Sequence, residues 1–503
     1  MNYDFFRFLL KITPLHPRFL HTRESRVQYL RIFFGFFLAY SYLCSMLLLF
    51  NMNERYAMKK MTSRVVGVFR VLAVVAVMTS TGSVVAQEIH LKDSTNDSQL
   101  NIDLQMLAQG EVRNGGVVNP DDPTAEDRSN FVVGRTRLII DYLKGNLEMK
   151  VVPQHLGIWG QKGQGSFNLY EAWAKYSIPQ GFFVQIGRQV LSYDDERILG
   201  PNDWAMAAQS HDLLRMGFEG YGHKVHALLA YNQNTDEGGT YYVDGAQSYK
   251  TMQTLWYHYD VQKTNLGVSL IFMNLGVQGM TTEKTPKTYN QQLLGTHITW
   301  QPSWGAFSGC YYRQMGKNGD GIKMEGWMTA YKASVKTCSV LTATVGFDYL
   351  SGDKYFAVPK PGAIGLTYHE KLGGFTPLYG SHHKFYGAME FFYVNAYVNG
   401  FSPGLQNAYI GGDVTIARKL TVSPYYHYMA MATKLENINM TLGHMIDLSL
   451  SYQFNKDINI SAGYSFMTGT ETMERLKRAS GQSHLRWFWL NVNITPRLLS
   501  LTF

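Results

Sequence analysis

A chain of 503 residues is long enough for three ordinary domains or for one large barrel. Aromatic side chains make up 14% of it and glycine occupies 47 positions, a mixture that suits a barrel with aromatic girdles and many turns better than a helical enzyme. The formal charge of +8 invites a nucleic-acid partner, but residues 1–86 hold 11 Lys/Arg against 3 Asp/Glu, while from Gln87 onward 35 basic residues balance 35 acidic ones. The basic excess belongs to the leader, which removes the nucleic-acid reading.

Two apolar segments open the chain. Ile32 to Phe50 is long enough to cross a bilayer. Met58-Lys-Lys-Met-Thr-Ser-Arg64, then Val65 to Val77, then Gly82-Ser-Val-Val-Ala86 has the basic start, apolar middle and small-residue exit of a secretory signal peptide. A signal peptide behind a spanning helix makes little sense. Residues 1–57 are therefore read as an upstream extension, 58–86 as the signal, 87–97 as a short N-terminal segment and 98–503 as the working domain, with a mature start at or near Gln87. An anchor helix over 32–50 is the alternative.

Past Gln87 no apolar run approaches the roughly 20 residues of a spanning helix. Short alternating segments follow one another instead. In Ile446-Asp-Leu-Ser-Leu-Ser-Tyr-Gln-Phe454 the apolar residues share one face and Asp447, Ser449, Ser451 and Gln453 the other. After Asn455-Lys-Asp457, Ile458, Ile460, Ala462, Tyr464 and Phe466 repeat the pattern. A soluble sandwich alternates too, but the signal peptide sends this chain out of the cytoplasm, and the apolar faces carry aromatics at their ends. Strands are expected near 98–112, 129–142, 145–157, 167–178, 181–191, 211–219, 223–232, 249–260, 264–274, 289–300, 303–315, 324–336, 338–350, 404–417, 419–431, 443–455, 456–467 and 484–495. Tight connections such as Lys144-Gly145 and Arg418-Lys419 alternate with long ones at 113–128, 192–210, 233–248, 276–288, 351–403, 432–442 and 468–483. The expected fold is all-β: a transmembrane antiparallel barrel of about 18 strands with short periplasmic turns and long extracellular loops. Lys384 to Asn395 stays inside the 351–403 outer connection, because a strand there would invert every later loop.

Lipid disfavours charge, so alternation assigns charged residues to the lumen. Val132, Leu138 and Ile140 facing lipid turn Arg135, Arg137 and Asp141 inward. The same rule places Glu148, Lys150, Glu171, Lys175, Arg215 and Glu219 inside, with Tyr170 among the lipid-facing residues, and more weakly Lys224, His226, Asp260, Arg313, Lys332, Asp413 and Asp447. The interior is expected to be polar and wet. Its charges either brace the wall in pairs or form a basic constriction for anions, with Arg135 and Arg137 projecting into water as the leading pair. Arg188 breaks the alternation and calls for a bulge or a reach toward loop carboxylates. Cys310 and Cys338 are read as unpaired.

Gly187-Arg-Gln-Val-Leu-Ser-Tyr-Asp-Asp-Glu-Arg-Ile-Leu-Gly-Pro-Asn-Asp-Trp204 resembles the alginate export porin family of bacterial outer-membrane barrels, and so does Pro377-Leu-Tyr-Gly-Ser-His-His-Lys-Phe-Tyr-Gly387. The resemblance implies an 18-stranded barrel in the Gram-negative outer membrane, export of an acidic, alginate-like polysaccharide and periplasmic export partners. It marks Arg188, Tyr193, Asp195, Glu196, Arg197, Gly200, Asp203, Trp204, His383 and Lys384 as the matched loop positions. Asp194, Asp195, Glu196 and Asp203 could gather calcium, although an ion pair with Arg197 or Arg188 is the simpler account. His382 and His383 adjoin Lys384 in the longest loop, which either stays exposed or folds into the mouth; solvated histidines are the default, and neither a metal site nor a cofactor is expected. The functional expectation is a passive channel for anionic or sugar-like solutes. A surface receptor or adhesin using the 351–403 loop and a barrel-embedded hydrolase are the alternatives; the hydrolase lacks a recognisable nucleophile–base constellation.

Overall fold

The computed structural model describes residues 98–114, 128–163, 165–234, 242, 248–280, 285–353, 371–392, 402–435, 438–477 and 484–503. The readings of 1–57, 58–86 and 87–97 lie outside these residues.

Eighteen strands form one closed antiparallel sheet. In chain order they are β1 (Ser98–Asn114), β2 (Arg128–Lys144), β3 (Leu147–Ile158), β4 (Gly165–Ser177), β5 (Phe182–Gln189), β6 (His211–Gly220), β7 (His223–Tyr231), β8 (Thr251–Val261) and β9 (Leu266–Met280). They continue as β10 (Pro286–Trp300), β11 (Gly305–Gly316), β12 (Trp327–Lys336), β13 (Leu341–Leu350), β14 (Leu405–Ile416), β15 (Leu420–Ala430), β16 (Thr441–Gln453), β17 (Ile458–Gly469) and β18 (His484–Ile494, resuming as Arg497–Thr502). Each strand pairs with the next, and β18 closes on β1, from Asn114↔Arg486 to Gln99↔Thr502. The last strand, expected over 484–495, runs further. Pro496 has no N–H to donate, so the ladder breaks and shifts register at Ile102/Asp103, but pairing then resumes.

Tight turns sit at one end. At Tyr221-Gly222 both residues take positive φ, 55° and 82°, the backbone of a two-residue hairpin turn matched to strand twist. At the other end, β9 and β10 extend through Met280 and Pro286, so the expected 276–288 loop shrinks to 281–285. Residues 384–392 contain no strand, as the loop alternation required.

The outer surface is apolar: Val184, Ile186, Leu255, Leu270, Phe272, Leu294, Val345 and Ile410 are exposed on the outward parity. At the short-turn rim Trp300, Trp304 and Phe307 pack together, with ring centres 5.2–5.7 Å apart. A closed barrel with such a belt and girdle is an integral outer-membrane barrel. The interior departs from the expected wet lumen. Toward the long-loop end the inward residues are apolar, including Met252, Met273, Leu275, Leu293, Met328, Leu350, Met429, Met445 and Met467, all 4% exposed or less. They form one hydrophobic core with side chains from the loops.

Candidate functional site

The loop after β5 and the 371–392 segment, outer loops by alternation, both turn into the barrel. Leu191, Tyr193, Ile198 and Leu199 are apolar residues in an otherwise charged stretch, and they bury against inward Leu213, Leu228, Trp256 and Ile271. Burying each such side chain contributes roughly 1.5–3 kcal/mol. The two motif stretches meet there as a parallel pair. Gly200 N–H donates to Tyr379 O (2.8 Å), Tyr379 N–H to Ile198 O (2.9 Å) and Ser381 N–H to Glu196 O (2.8 Å). A Cβ at Gly200 would stand 2.4 Å from Ser381 Oγ, and one at Gly380 2.3 Å from Arg197 O, so backbone this close requires glycine. The Glu196 carboxylate accepts from Ser192, Ser381 and Lys384. Burial alone would push Glu196 up, and these bonds hold it below its usual range instead.

Arg197 is the hub of this insert. Its Nε donates to Asp195 (2.9 Å) and its Nη2 to Asp348 on β13 (2.7 Å), while its guanidinium lies 4.0 Å from the Phe385 ring centre. The far oxygen of Asp348 accepts from Asn407, whose side-chain oxygen lies 2.9 Å from His427 Nδ1. His427 Nε2 is 3.4 Å from Asp447, which accepts the Ala388 N–H at 2.9 Å. One polar chain thus fastens both halves of the insert to the wall; burial alone would lower the Arg197 pKa, but Asp348 and Asp195 beside it hold it well above its ordinary value.

Arg135 and Arg137 do turn inward, but not into open water: only 2% and 5% of them is exposed. Their guanidiniums grip the two oxygens of Asp203, at 3.0 and 2.8 Å. Gln105 accepts from both, and Gln154 accepts from Arg137 Nε at 2.6 Å. Tyr170, expected to face lipid, instead lies 3.7 Å beneath the Arg137 guanidinium. A register shift between Val152 and Pro153 adds a residue there and turns the tyrosine inward. The pair therefore braces the β5–β6 loop.

The next residue, Trp204, stacks on His383 at 3.7 Å and presses edge-on against Trp487 and Trp489 of β18. The two histidines are half-buried rather than freely solvated, and this burial pushes His382 down to about 4 and His383 to about 3. Glu390, 3.7 Å from His383, is pushed by burial up to about 7.

The remaining wall charges pair locally. Lys150 meets Glu171 (3.4 Å) and Asp141 (3.9 Å), Lys175 meets Glu148 (3.3 Å), and Arg215 meets Glu219 (4.0 Å). Arg188 keeps its outward parity and is neutralised by Asp212, its cross-strand partner on β6 (2.6 and 2.9 Å). Arg313 is also outward, since buried Tyr312 and Gln314 take the inward positions. The four carboxylates weighed for calcium are dispersed: Asp194 accepts from Trp256 Nε1 at 3.1 Å, and the others hold Arg197, Lys384 and the Arg135/Arg137 pair. Among the described residues no cluster of His, Cys, Asp and Glu is arranged to hold a metal. Alternation gave no means of singling out Asp348, Asn407 and His427, because a polar inward residue looks the same whether it meets water or a loop.

On the short-turn side of the insert lies a cavity of about 770 Å³. Arg197, His383 and Tyr386 border it on one side; Ser308, Lys332, Tyr409, Tyr425 and Ser449 line the wall. No family model and no curated protein matches the chain. Among solved structures it is similar to Pseudomonas aeruginosa OccK9 (OpdG), with a TM-score of 0.54 and 13% identity over 79% of this chain and 98% of that one. It is also similar to P. aeruginosa OccK2 (OpdF) in complex with glucuronate (0.53, 12%, 80% and 98%) and to P. aeruginosa OprD (0.52, 13%, 80% and 96%). These neighbours do not carry the narrower resemblance to alginate export porins; what they establish is the fold, a closed 18-stranded antiparallel barrel.

Proposed function

We propose that the protein is a passive outer-membrane channel for small anionic or sugar-like solutes. The observation that carries this reading is the cavity, lined by polar and aromatic side chains, within a closed 18-stranded barrel. Barrels of 16–18 strands leave an aqueous lumen, and about 770 Å³ falls among ordinary small-solute sites. The OccK2 structure with glucuronate supports a hydroxylated carboxylate among the solutes. Arg135, Arg137, Lys150, Lys175 and Arg215 would supply a positive field, much of it offset by Asp203, Glu148, Glu171 and Glu219. Export of an alginate-like polysaccharide, with periplasmic partners, rests on the two motif stretches alone. The receptor reading loses its support, because the described part of the 351–403 loop is spent inside the barrel.

Purified, heat-modifiable barrel in a planar bilayer should conduct, with a reversal potential in a KCl gradient displaced toward anions. A folded barrel that leaves the bilayer silent would refute the channel reading.

A further inference from the structure

We infer that a strip of cations on the lipid-facing side of the barrel, at its long-loop end, docks the phosphate groups of a phosphorylated glycolipid of the outer leaflet. The inference stands apart from what passes through the lumen and needs only the barrel's place in the outer membrane. The β11–β12 ladder does not end at Arg313↔Trp327. Gln314 N–H donates to Gly326 O (2.7 Å), and four positions beyond Arg313 the chains face each other again at Lys317↔Lys323. Side chains alternate along such a ladder. Buried Gln314 and Met324 take the inward parity, so Arg313, Met315, Lys317, Lys323, Glu325 and Trp327 take the outward one. On its other side Lys323 pairs in parallel with Lys371. Lys317, Lys323 and Lys371 therefore stand abreast on one face, and all are exposed.

Like charges directly opposite each other weaken a sheet, and here Lys323 has a lysine on both sides. Among the described residues Glu325 is the one carboxylate paired with them, 3.0 Å from Lys323 and 3.2 Å from Lys371. Asp320, at the tip of the hairpin, is held by Asn318 at 3.0 Å. Lys317 and Arg313 have no ion pair among the described residues. The strip also lies at the right depth. Phe307, in the rim cluster with Trp300 and Trp304, stands ten positions before Lys317. At about 3.3 Å per residue and a tilt of about 40°, that is a climb of about 25 Å, the height of the apolar band. The lysines thus meet headgroups, not acyl chains. Arg313 is lower on the same face, where a long side chain turns its charged head toward the interface. Its cross-strand partner Trp327 packs with Tyr349 and Tyr311, ring centres 4.8 and 6.1 Å away, an aromatic surface for the acyl part. Four cations against one carboxylate suit a lipid carrying more than one phosphate better than a zwitterionic lipid. Lysines on short edge strands also keep such edges from pairing with another chain, and the experiment separates that role from docking.

Native mass spectrometry on the folded barrel in detergent should titrate diphosphoryl lipid A and its dephosphorylated form, with heat-modifiability as the check of folding. The variants are Lys317→Gln/Lys323→Gln/Lys371→Gln together, Arg313→Leu alone, and Lys419→Gln in a short turn at the opposite end as control. The parent should hold the phosphorylated lipid about tenfold more tightly than the dephosphorylated one. The triple variant should lose about that factor, as removal of several exposed charge contacts does, Arg313→Leu should lose part of it, and Lys419→Gln should match the parent. Inorganic phosphate equimolar with the lipid should not displace it. Equal binding of the two lipids by the parent overturns the site whatever the variants do. So does a triple variant that binds as the parent does, or a control that loses as much. Displacement by inorganic phosphate would assign the strip to the free ion and refute lipid docking, and parent-like binding by Arg313→Leu would remove that residue from the strip.

Discussion

Asp203 holds two buried arginines, and its replacement by Asn tests whether they brace or attract. The guanidiniums are 1% and 6% exposed at the side chain, whereas the carboxylate is 47% exposed. A fully buried pair that loses one partner costs about 3–5 kcal/mol and an exposed pair about 0–1. With one side wet, about 1–1.5 kcal/mol per pair is reasonable, or about 2–3 kcal/mol for both. Some grip survives, because Arg135 also donates to the Asp203 carbonyl at 3.1 Å and Arg137 to Gln154. The seated loop should then lose a factor of about 30–150 against the unseated one. Hydrogen exchange reads this directly: Ala205, Ala208 and Gln209 amides, bonded to Asn202, Ala205 and Pro201 carbonyls, should exchange faster by that factor. Amides of β2 and β3 should not change, and Arg137→Ala combined with Asp203→Asn should cost less than the sum of the two. Unchanged exchange, with a reversal potential moving toward anions, would mean that the loop does not depend on the bracket and that the arginines act as a field.

Asp348→Asn leaves Arg197 buried beside a weaker partner and should lower the heat-modification midpoint, with a cost of about 3–5 kcal/mol; a midpoint within error of the parent would remove Arg197 as the hub. Gly200→Val should unseat the insert, exposing the 377–387 segment to protease while strand content by circular dichroism stays the same; protection equal to the parent would contradict the close approach to Ser381. The seated insert should also respond to pH. His382 and His383 sit near 4 and 3 against an ordinary 6.5, so their contribution is present above 6.5 and lost as pH falls through those values. Glu390, near 7 against an ordinary 4.5, contributes below 4.5 and loses that contribution as pH rises through 7. Two histidines outweigh one carboxylate, so intrinsic-rate-corrected exchange of the 381–392 amides should be slowest near neutrality and faster near pH 4, more steeply in Glu390→Gln; a flat profile in both would refute the burial of this cluster.

The wall was legible because a period of two survives in almost every strand. Val184 and Ile186 face out and Phe183 and Gln185 in, as lipid on one side demands. The insert was less legible, since alternation says which way a wall residue points but not what it meets there. One signal was available. Leu270-Ile-Phe-Met273 is apolar on both parities, which describes a strand covered on both faces, and Ile271 and Met273 are buried by the insert. Tyr170 escaped because a bulge changes parity without changing composition. Glu196 and Lys384 stand inside the motifs that resemble a known family, yet their meeting is set by a register between stretches 188 positions apart.

That separation governs how the molecule matures. Apart from the β1–β18 seam, strand pairs within the wall join neighbours in sequence, so they can form one after another. Arg197, by contrast, waits for Asp348, 151 positions later, and Glu196 waits for Lys384, 188 positions later. Such contacts form late because long loops must close before any bond rewards them. A nascent barrel therefore passes through a stage with its lumen unfilled and Met252, Met273, Met328 and Met429 wet, a stage that flexible, unbranched side chains tolerate.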